Sequence, residues 1–470
     1  MPINSRTLHH KVIEEFKRIY TDAPDIGLVR APGRVNIIGE HLDYNGLHVF
    51  PIAAERNIAI AFSPAGGPEV CLSNIDPAFG ERQFTTSGDI EHYAAGDWGN
   101  YAKASVQALW GWAKEHQSEA LPLKGFKGIA GGNIPKGSGL SSSSAMVVAV
   151  ALVMVKVNAL NISPIDLADL LAHGERYVGT EGGGMDHAAS ILSKAAGALK
   201  IDFNPLRAKP VPMLDDAVFV VANSLVRAEK AGSARLAFNT RVVECRLGVQ
   251  VLKALARERY PQVESAVVLG DVMRSVPEWR SLLNIIPEGL LNLEQISDIS
   301  GVSVKTLADN CLKLRNGSML DESVRAFDVK KRVCHVLTEA ERVELAAKAA
   351  LDGDLVKLGE LMNQSHTSCA EDYGVSCPEL DVLVETLRRH GALGARLTGA
   401  GFGGCTVALV QRNTCNAVID AVWADYYQGY ALRAGLDAAA GRDDIIFGCR
   451  PSAGAQILDV SEVASLRTGV

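Results

Sequence analysis

The sequence predicts an α+β protein built as two lobes, and three observations carry the prediction. Strand-like and helix-like stretches interleave along the whole chain, with no fixed-period repeat and no low-complexity tract that would point to a solenoid or a tail. The 470 residues amount to about three domain-lengths at the usual ~150 residues each, and two larger lobes fit as well. The run Pro205 to Pro212, with three prolines, offers a hinge, placed near residue 208. The expected lobes are therefore 1–208 and 209–470.

Each element has its own local signal. Ser5 to Tyr20 alternates charged residues with Leu8, Val12, Phe16 and Ile19 at helical spacing, which predicts a surface helix rather than a signal peptide. His48 to Ser63 mixes Val, Ile and Phe at strand spacing. Ala145 to Val155 is an apolar run of about half the ~20 residues a membrane-spanning helix needs, and it predicts a buried helix. Ser163-Pro164 is a cap and first turn before Leu167, Leu170 and Leu171. Val218 to Ala222 is an apolar run suited to a buried strand. Thr338-Glu339-Ala340-Glu341 has the form of a capping box opening a long helix towards Met362. Ser275 to Leu320, rich in Leu and Ile and without a chemical motif, is expected to be helical packing.

Composition narrows the function. With 47% hydrophobic and 21% charged residues the chain has the balance of a folded protein. A net charge of −7 is wrong in sign for general nucleic-acid affinity. The 9 cysteines are scattered singly, with no pair or cluster at zinc spacing, and this favours a reducing cytoplasmic compartment and small buried thiols. Neither a nucleic-acid nor a membrane partner is expected.

Four segments carry chemistry. Pro135-Lys136-Gly137-Ser138-Gly139-Leu140-Ser141-Ser142-Ser143-Ser144-Ala145 feeds small residues into the buried helix. Gly137 and Gly139 permit close backbone approach, the helix-start N–H groups face an anion, and the hydroxyls add donors, one of them a candidate magnesium ligand. The spacing is neither that of a P-loop nor that of a dinucleotide fold. Glu181-Gly182-Gly183-Gly184-Met185-Asp186 spends three glycines, which need a reason such as a ligand lying against the main chain, and delivers Asp186 as a base or positioning carboxylate. Arg396-Leu397-Thr398-Gly399-Ala400-Gly401-Phe402-Gly403-Gly404-Cys405 leads into the strand-like Thr406 to Val410. It reads either as a hairpin turn or as a ligand contact, with no obvious chemical side chain. Gly33 to Gly46 gathers Glu40, His41, Asp43 and Tyr44, hydrogen-bonding groups suited to a neutral polyol such as a sugar; a metal is the rival reading, although the pattern matches no common metal site.

Together these segments resemble the galactokinase branch of the GHMP small-molecule kinases over nearly the whole chain. The run Gly179 to Asp186, Asn239 to Leu247 and Leu358 to Ser368 are similar to the N-acetylgalactosamine kinase subgroup. The resemblance implies an α/β N-terminal lobe and an α+β C-terminal lobe, with ATP and sugar in the cleft between. It implies that Arg34, Glu40, His41, Asp43, Gly183, Asp186 and Phe238 bind the sugar, with Asp186 and Arg34 catalytic. Gly137, Gly139, Ser141, Ser142, Ser143, Ser144 and Lys230 would hold ATP, and Ser144 and Glu175 would hold Mg²⁺. Two residues depart from the subgroup: His187 stands where Gln is usual, and Glu229-Lys230 replaces an Asn-Lys pair. The implied reaction is γ-phosphoryl transfer from ATP to the C1 hydroxyl of galactose, with the N-acetylamino analogue as a second acceptor, by a cytoplasmic monomer. Galactokinases commonly carry Tyr where the subgroup, and this chain, carry Phe238. A non-catalytic sugar- and ATP-binding regulator is the alternative, but yeast sensors of that kind lack the Ser-Ala pair that stands here as Ser144-Ala145. A mevalonate or homoserine kinase would share the phosphate loop but not Glu40-His41-x-Asp43-Tyr44.

Overall fold

The computed structural model describes residues 4–23, 25–135, 138–178, 183–226, 233–314, 317–436 and 441–460. Its strands are β1 (Gly27–Ile38), β2 (Phe50–Pro64), β3 (Glu69–Asn74), β4 (Arg82–Thr85), β5 (Phe126–Gly132), β6 (Gly197–Asp202), β7 (Arg207–Pro212), β8 (Ala217–Asn223), β9 (Gly394–Thr398), β10 (Cys405–Gln411), β11 (Ile446–Cys449) and β12 (Gln456–Leu458). They form a six-stranded sheet in the order β12-β1-β2-β5-β3-β4, a four-stranded sheet in the order β11-β8-β10-β9, and the hairpin β6-β7.

The strand and helix signals map onto these elements. Helix α1 (Ser5–Ile19) buries Leu8, Val12 and Phe16 against β2 and β5. Helix α2 (Gly99–His116) and α3 (Ser142–Val157) pack together, and α3 also lies on β1 and β2. The valine-rich α3 is a helix although β-branched residues disfavour one, because Ala145 to Ala151 are buried all round and tertiary packing outweighs propensity. Helix α4 (Pro164–Gly174) starts where Ser163 Oγ accepts from Asp166 N, 3.1 Å away. Helices α5 (Met185–Leu192) and α6 (Ser233–Ala256) complete the frame around the site. Short helices at Trp279–Leu283, Leu293–Ser300 and Val304–Leu307 occupy the motif-free Leu- and Ile-rich region.

Three expectations are corrected. Pro205 to Pro212 is not a free hinge: its last six residues are β7, paired with β6 from Asp202↔Arg207 to Gly197↔Pro212. Pro210 and Pro212 are tolerated because this two-stranded ribbon leaves β7 an edge strand. The lobes also do not divide cleanly at 208, since β12 returns to pair with β1 through Leu28↔Leu458 to Arg30↔Gln456. Finally, Thr338-Glu339 caps nothing. The helix runs Val329–Asp352, with Asp328 at its N-cap, and ends at Gly353 (φ 74°) before a second helix, Leu355–Ser368. Thr338 Oγ1 donates back to Cys334 O at 2.7 Å inside the helix, and Glu339 is fully buried.

Candidate active site

The loop after β1 is shaped by its own backbone. Gly39 (φ 103°), His41 (φ 66°) and Gly46 (φ 68°) take left-handed conformations, which cost a non-glycine residue about 1–2 kcal/mol. The C-terminal half of the chain holds the loop in place. Gly39 N donates to Glu339 Oε1 at 3.0 Å, His335 Nε2 lies 3.2 Å from Glu40 O, and Thr398 Oγ1 donates to Asn36 O at 3.1 Å. Glu40 Oε1 accepts from Gly399 N at 2.8 Å and from Arg396 Nη1 at 3.2 Å. Arg396 is wholly buried and Glu40 is 2% exposed, so the glycine-rich motif does contain a working side chain. A buried arginine opposite a buried glutamate offsets desolvation for both.

Arg34, on β1, joins three segments. Its Nε donates to Asp186 Oδ1 at 2.8 Å and its Nη1 to Gly139 O, while its backbone N donates to Leu140 O at 3.2 Å. Asp186 lies in the first turn of α5, where the helix N-terminus favours a negative charge. Its Oδ2 accepts from Ser141 Oγ at 2.5 Å. Burial pushes the Asp186 carboxyl up, but the Arg34 charge and the Ser141 hydrogen bond outweigh it and hold the group below its ordinary value. Ser141 therefore serves the carboxylate. It occupies the N-cap position of α3 in a left-handed conformation (φ 59°, ψ 46°), and its side chain makes no cap hydrogen bond to the helix.

Asp43 follows in a short 3₁₀ turn (Asp43–Asn45). A Cβ at Gly183 would stand 2.3 Å from Asp43 Cγ. The Asp43 carboxylate and the Tyr44 backbone thus require a glycine at 183. Burial and the neighbouring Asp186 charge raise Asp43 to about 6, against hydrogen bonds from the backbone of Tyr44 and Met185. Phe238, on α6, lies 5.9 Å from the His41 ring and 6.1 Å from that of Tyr44, which brings it to the same place.

The third motif is a hairpin turn between β9 and β10, and it also approaches the phosphate loop: a Cβ on Gly399 would lie 3.4 Å from Gly139 O. The hairpin-turn reading therefore holds. Ser142 and Ser143 are half-buried at the start of α3 and Ser144 is buried. His187 is buried beside Asp186 on α5. Gly137, Glu229 and Lys230, and the side chain of Glu175, lie outside the described residues. Glu40, His41 and Asp43 do not converge on a common point as metal ligands would. Among the described residues the three-ligand cluster that does, His48, Asp202 and Glu344, lies elsewhere and already contains the Lys200 ammonium.

Sequence reasoning missed His335, Glu339 and Tyr373, which fix the sugar-type loop from the far side. For Glu339 a signal existed: an acidic residue on the apolar face shared by Val336, Ala340 and Val343, all buried.

This arrangement, an anion-receptive helix start beside an arginine-bound carboxylate and a polyol-type loop, defines a small-molecule kinase of the GHMP type. Models of the GHMP kinase N-terminal and C-terminal domains match residues 100–194 and 346–428, and the galactokinase galactose-binding signature matches residues 14–64. The chain is 32% identical to a galactokinase of Dictyostelium discoideum, over 91% of this chain and 89% of that one. It is 34% identical to one of Saccharomyces cerevisiae, over 85% of each. A crystal structure of Lactococcus lactis galactokinase complexed with galactose superposes with a TM-score of 0.72 at 29% identity, covering 95% of this chain and 98% of that one. A mevalonate kinase shares the fold, with a TM-score of 0.54 at 16% identity over 90% and 98%. The chain belongs to the galactokinase family.

Proposed function

We propose that the chain transfers the γ-phosphoryl group of ATP to the C1 hydroxyl of galactose, giving galactose 1-phosphate and ADP. The observation that carries this is the junction of Arg34, Asp186, Ser141 and Gly139, where a carboxylate kept ionised abuts the phosphate loop. Phosphoryl transfer passes through a loose transition state, so positioning and charge neutralisation supply most of the catalysis. Arg34 neutralises charge developing on the transferred group, and the first N–H groups of α3 receive the nucleotide phosphates together with Ser142 and Ser143. Asp186 faces the C1 hydroxyl, orients it and takes its proton late, because its low pKa makes it a weak base. Glu40, through the oxygen that Arg396 and Gly399 leave, His41 and Asp43 hold the ring hydroxyls.

Ser144 and Glu175 are the oxygen donors assigned to Mg²⁺, a hard cation that takes such ligands. When bound it supplies charge neutralisation on the phosphates. Gly137 and Lys230 belong to the ATP site on this reading. Among the described residues no helix is long and apolar enough to cross a membrane, and the nine cysteines are unpaired. Both facts support a cytoplasmic enzyme, which we take to be monomeric.

Phe238 supports N-acetylgalactosamine as a second acceptor, since a ring without a phenol oxygen leaves room beside the sugar. A small added group in a pocket is worth only about 1–3 kcal/mol. The test is kcat/KM for the two sugars side by side. Turnover of both supports dual specificity, and a rate with N-acetylgalactosamine no higher than the sugar-free blank leaves a galactose-only enzyme.

A further inference from the structure

A buried line of hydrogen bonds ends on His41. Asn45 Nδ2 lies 3.8 Å from Cys245 Sγ, and Cys245 Sγ lies 3.3 Å from the Tyr373 hydroxyl. The Tyr373 hydroxyl is 2.7 Å from that of Tyr44, which in turn is 2.9 Å from His41 Nδ1. The Tyr373 ring also stacks on His41, with centroids 4.5 Å apart and planes at 25°, and packs against His335 at 4.6 Å. At the end of the line His41 Nε2 is buried and has no hydrogen-bond partner among the described residues. The line crosses between chain halves: His41, Tyr44 and Asn45 belong to the loop after β1, Cys245 to α6, and Tyr373 to the turn after helix Leu355–Ser368.

Counting hydrogens gives the line a direction. Burial pushes both phenols well above their ordinary values and the Cys245 thiol up to about 11, and it pushes the His41 imidazole well below its own. Every member is therefore neutral near pH 7, with one hydrogen on each of the sulfur and the two hydroxyls. Asn45 Nδ2 also donates to His41 O at 2.8 Å, which identifies it as the amide nitrogen and makes Cys245 Sγ an acceptor from it. Run towards His41, the chain uses every hydrogen: the thiol donates to Tyr373, Tyr373 to Tyr44, and Tyr44 to Nδ1. Run the other way, it loads a second donor onto sulfur, a weak acceptor, and leaves the thiol hydrogen without a partner among the described residues.

We propose that Tyr44, Tyr373 and Cys245 are positioning residues that lock His41 in its Nε2–H tautomer, so that His41 offers the sugar a hydrogen-bond donor and not an acceptor. This rests on the reading that His41 faces the sugar. A sugar hydroxyl meeting Nε2–H must accept there, and its own hydrogen is then free for a carboxylate. A neutral polyol can satisfy both demands, while an ammonium group, a donor only, cannot.

The test is long-range ¹H–¹⁵N spectroscopy of the full chain labelled at histidine nitrogens, with the His41 signals assigned by their loss in His41→Asn. The expected result is the Nε2–H pattern in the wild-type chain, turning to Nδ1–H or a mixture in Tyr44→Phe, which removes one oxygen and keeps the ring. Tyr373→Phe gives the same reading in part, and serves if Tyr44→Phe does not fold. In steady state the shifted variant should raise the galactose KM about three- to tenfold, the worth of one hydrogen bond, with kcat within about twofold. An Nδ1–H form in the wild-type chain, a tautomer that survives Tyr44→Phe, or a tautomer shift with unchanged KM overturns the proposal. The tautomer reading needs no turnover, so it stands even if the chain fails to phosphorylate galactose.

Discussion

Asp186 and Asp43 are neighbouring carboxylates held in opposite electrostatic states. Arg34 and Ser141 keep Asp186 ionised, while burial beside Asp186 raises Asp43 to about 6. Asp186→Asn keeps the shape but loses the charge and the proton acceptor. It should leave folding and ATP binding intact and lower turnover at least about a hundredfold; wild-type turnover would remove Asp186 from the mechanism. If Asp43 holds sugar hydroxyls, its ionised form accepts from them more strongly than its protonated form, so kcat/KM for galactose should rise with pH through an apparent pKa near 6. A profile flat from pH 5 to 8 would contradict that role. The sign for stability is opposite. Between the ordinary carboxylate value and about 6 the folded chain holds a proton that the unfolded chain has lost, so the sugar-free protein loses stability as pH rises through that window. Ser141 gives a third test at this scale. Ser141→Gly relieves the left-handed backbone and removes the hydroxyl, whereas Ser141→Ala removes the hydroxyl and keeps the strain. If the hydroxyl positions Asp186, both should lower turnover about ten- to hundredfold, the worth of a hydrogen bond to a charged group. A fully active Gly variant would show that only the backbone shape matters.

Among the elements, the β9–β10 hairpin connects the two halves of the site. It presents Arg396 to Glu40 on one side and Gly399 to the phosphate loop on the other. Arg396→Met leaves Glu40 buried without its cation and should lower unfolding stability in urea by about 3–5 kcal/mol. Adding Glu40→Gln to that variant should recover part of the loss, and full additivity of the two changes would contradict the pairing. Elements with a strong local period were legible in the sequence: α1 by its apolar face, β2 and β8 by their apolar runs, α3 by the run that follows the loop. Thr338-Glu339 misled because a capping box and a mid-helix serine-or-threonine step share one local pattern, and only burial of Glu339 against Gly39 tells them apart. The prolines of β7 misled similarly, since an edge strand tolerates what a central strand excludes.

At the scale of the molecule, the site is a contact between chain segments hundreds of residues apart. The chemical groups were legible one by one: Arg34, Asp43, Asp186 and the serine loop each sit in a distinctive local string. Their supports were not, because His335, Glu339, Tyr373 and Arg396 acquire meaning only when the helices Val329–Asp352 and Leu355–Ser368 and the β9–β10 hairpin fold back on the loop after β1. The return of β12 to β1 was invisible for the same reason, as three residues carry no period of their own. Ser144→Ala and Glu175→Gln should each raise the Mg²⁺ concentration needed for half-maximal rate, and unchanged titrations in both would place the metal elsewhere. The central claim, a galactose 1-kinase built on Arg34 and Asp186, is tested most directly by following ATP and galactose together with ³¹P NMR. A galactose 1-phosphate signal should grow in step with ADP for the wild-type chain and at most about one hundredth as fast for Asp186→Asn. ADP released without a sugar phosphate, or equal rates in the two proteins, would contradict it.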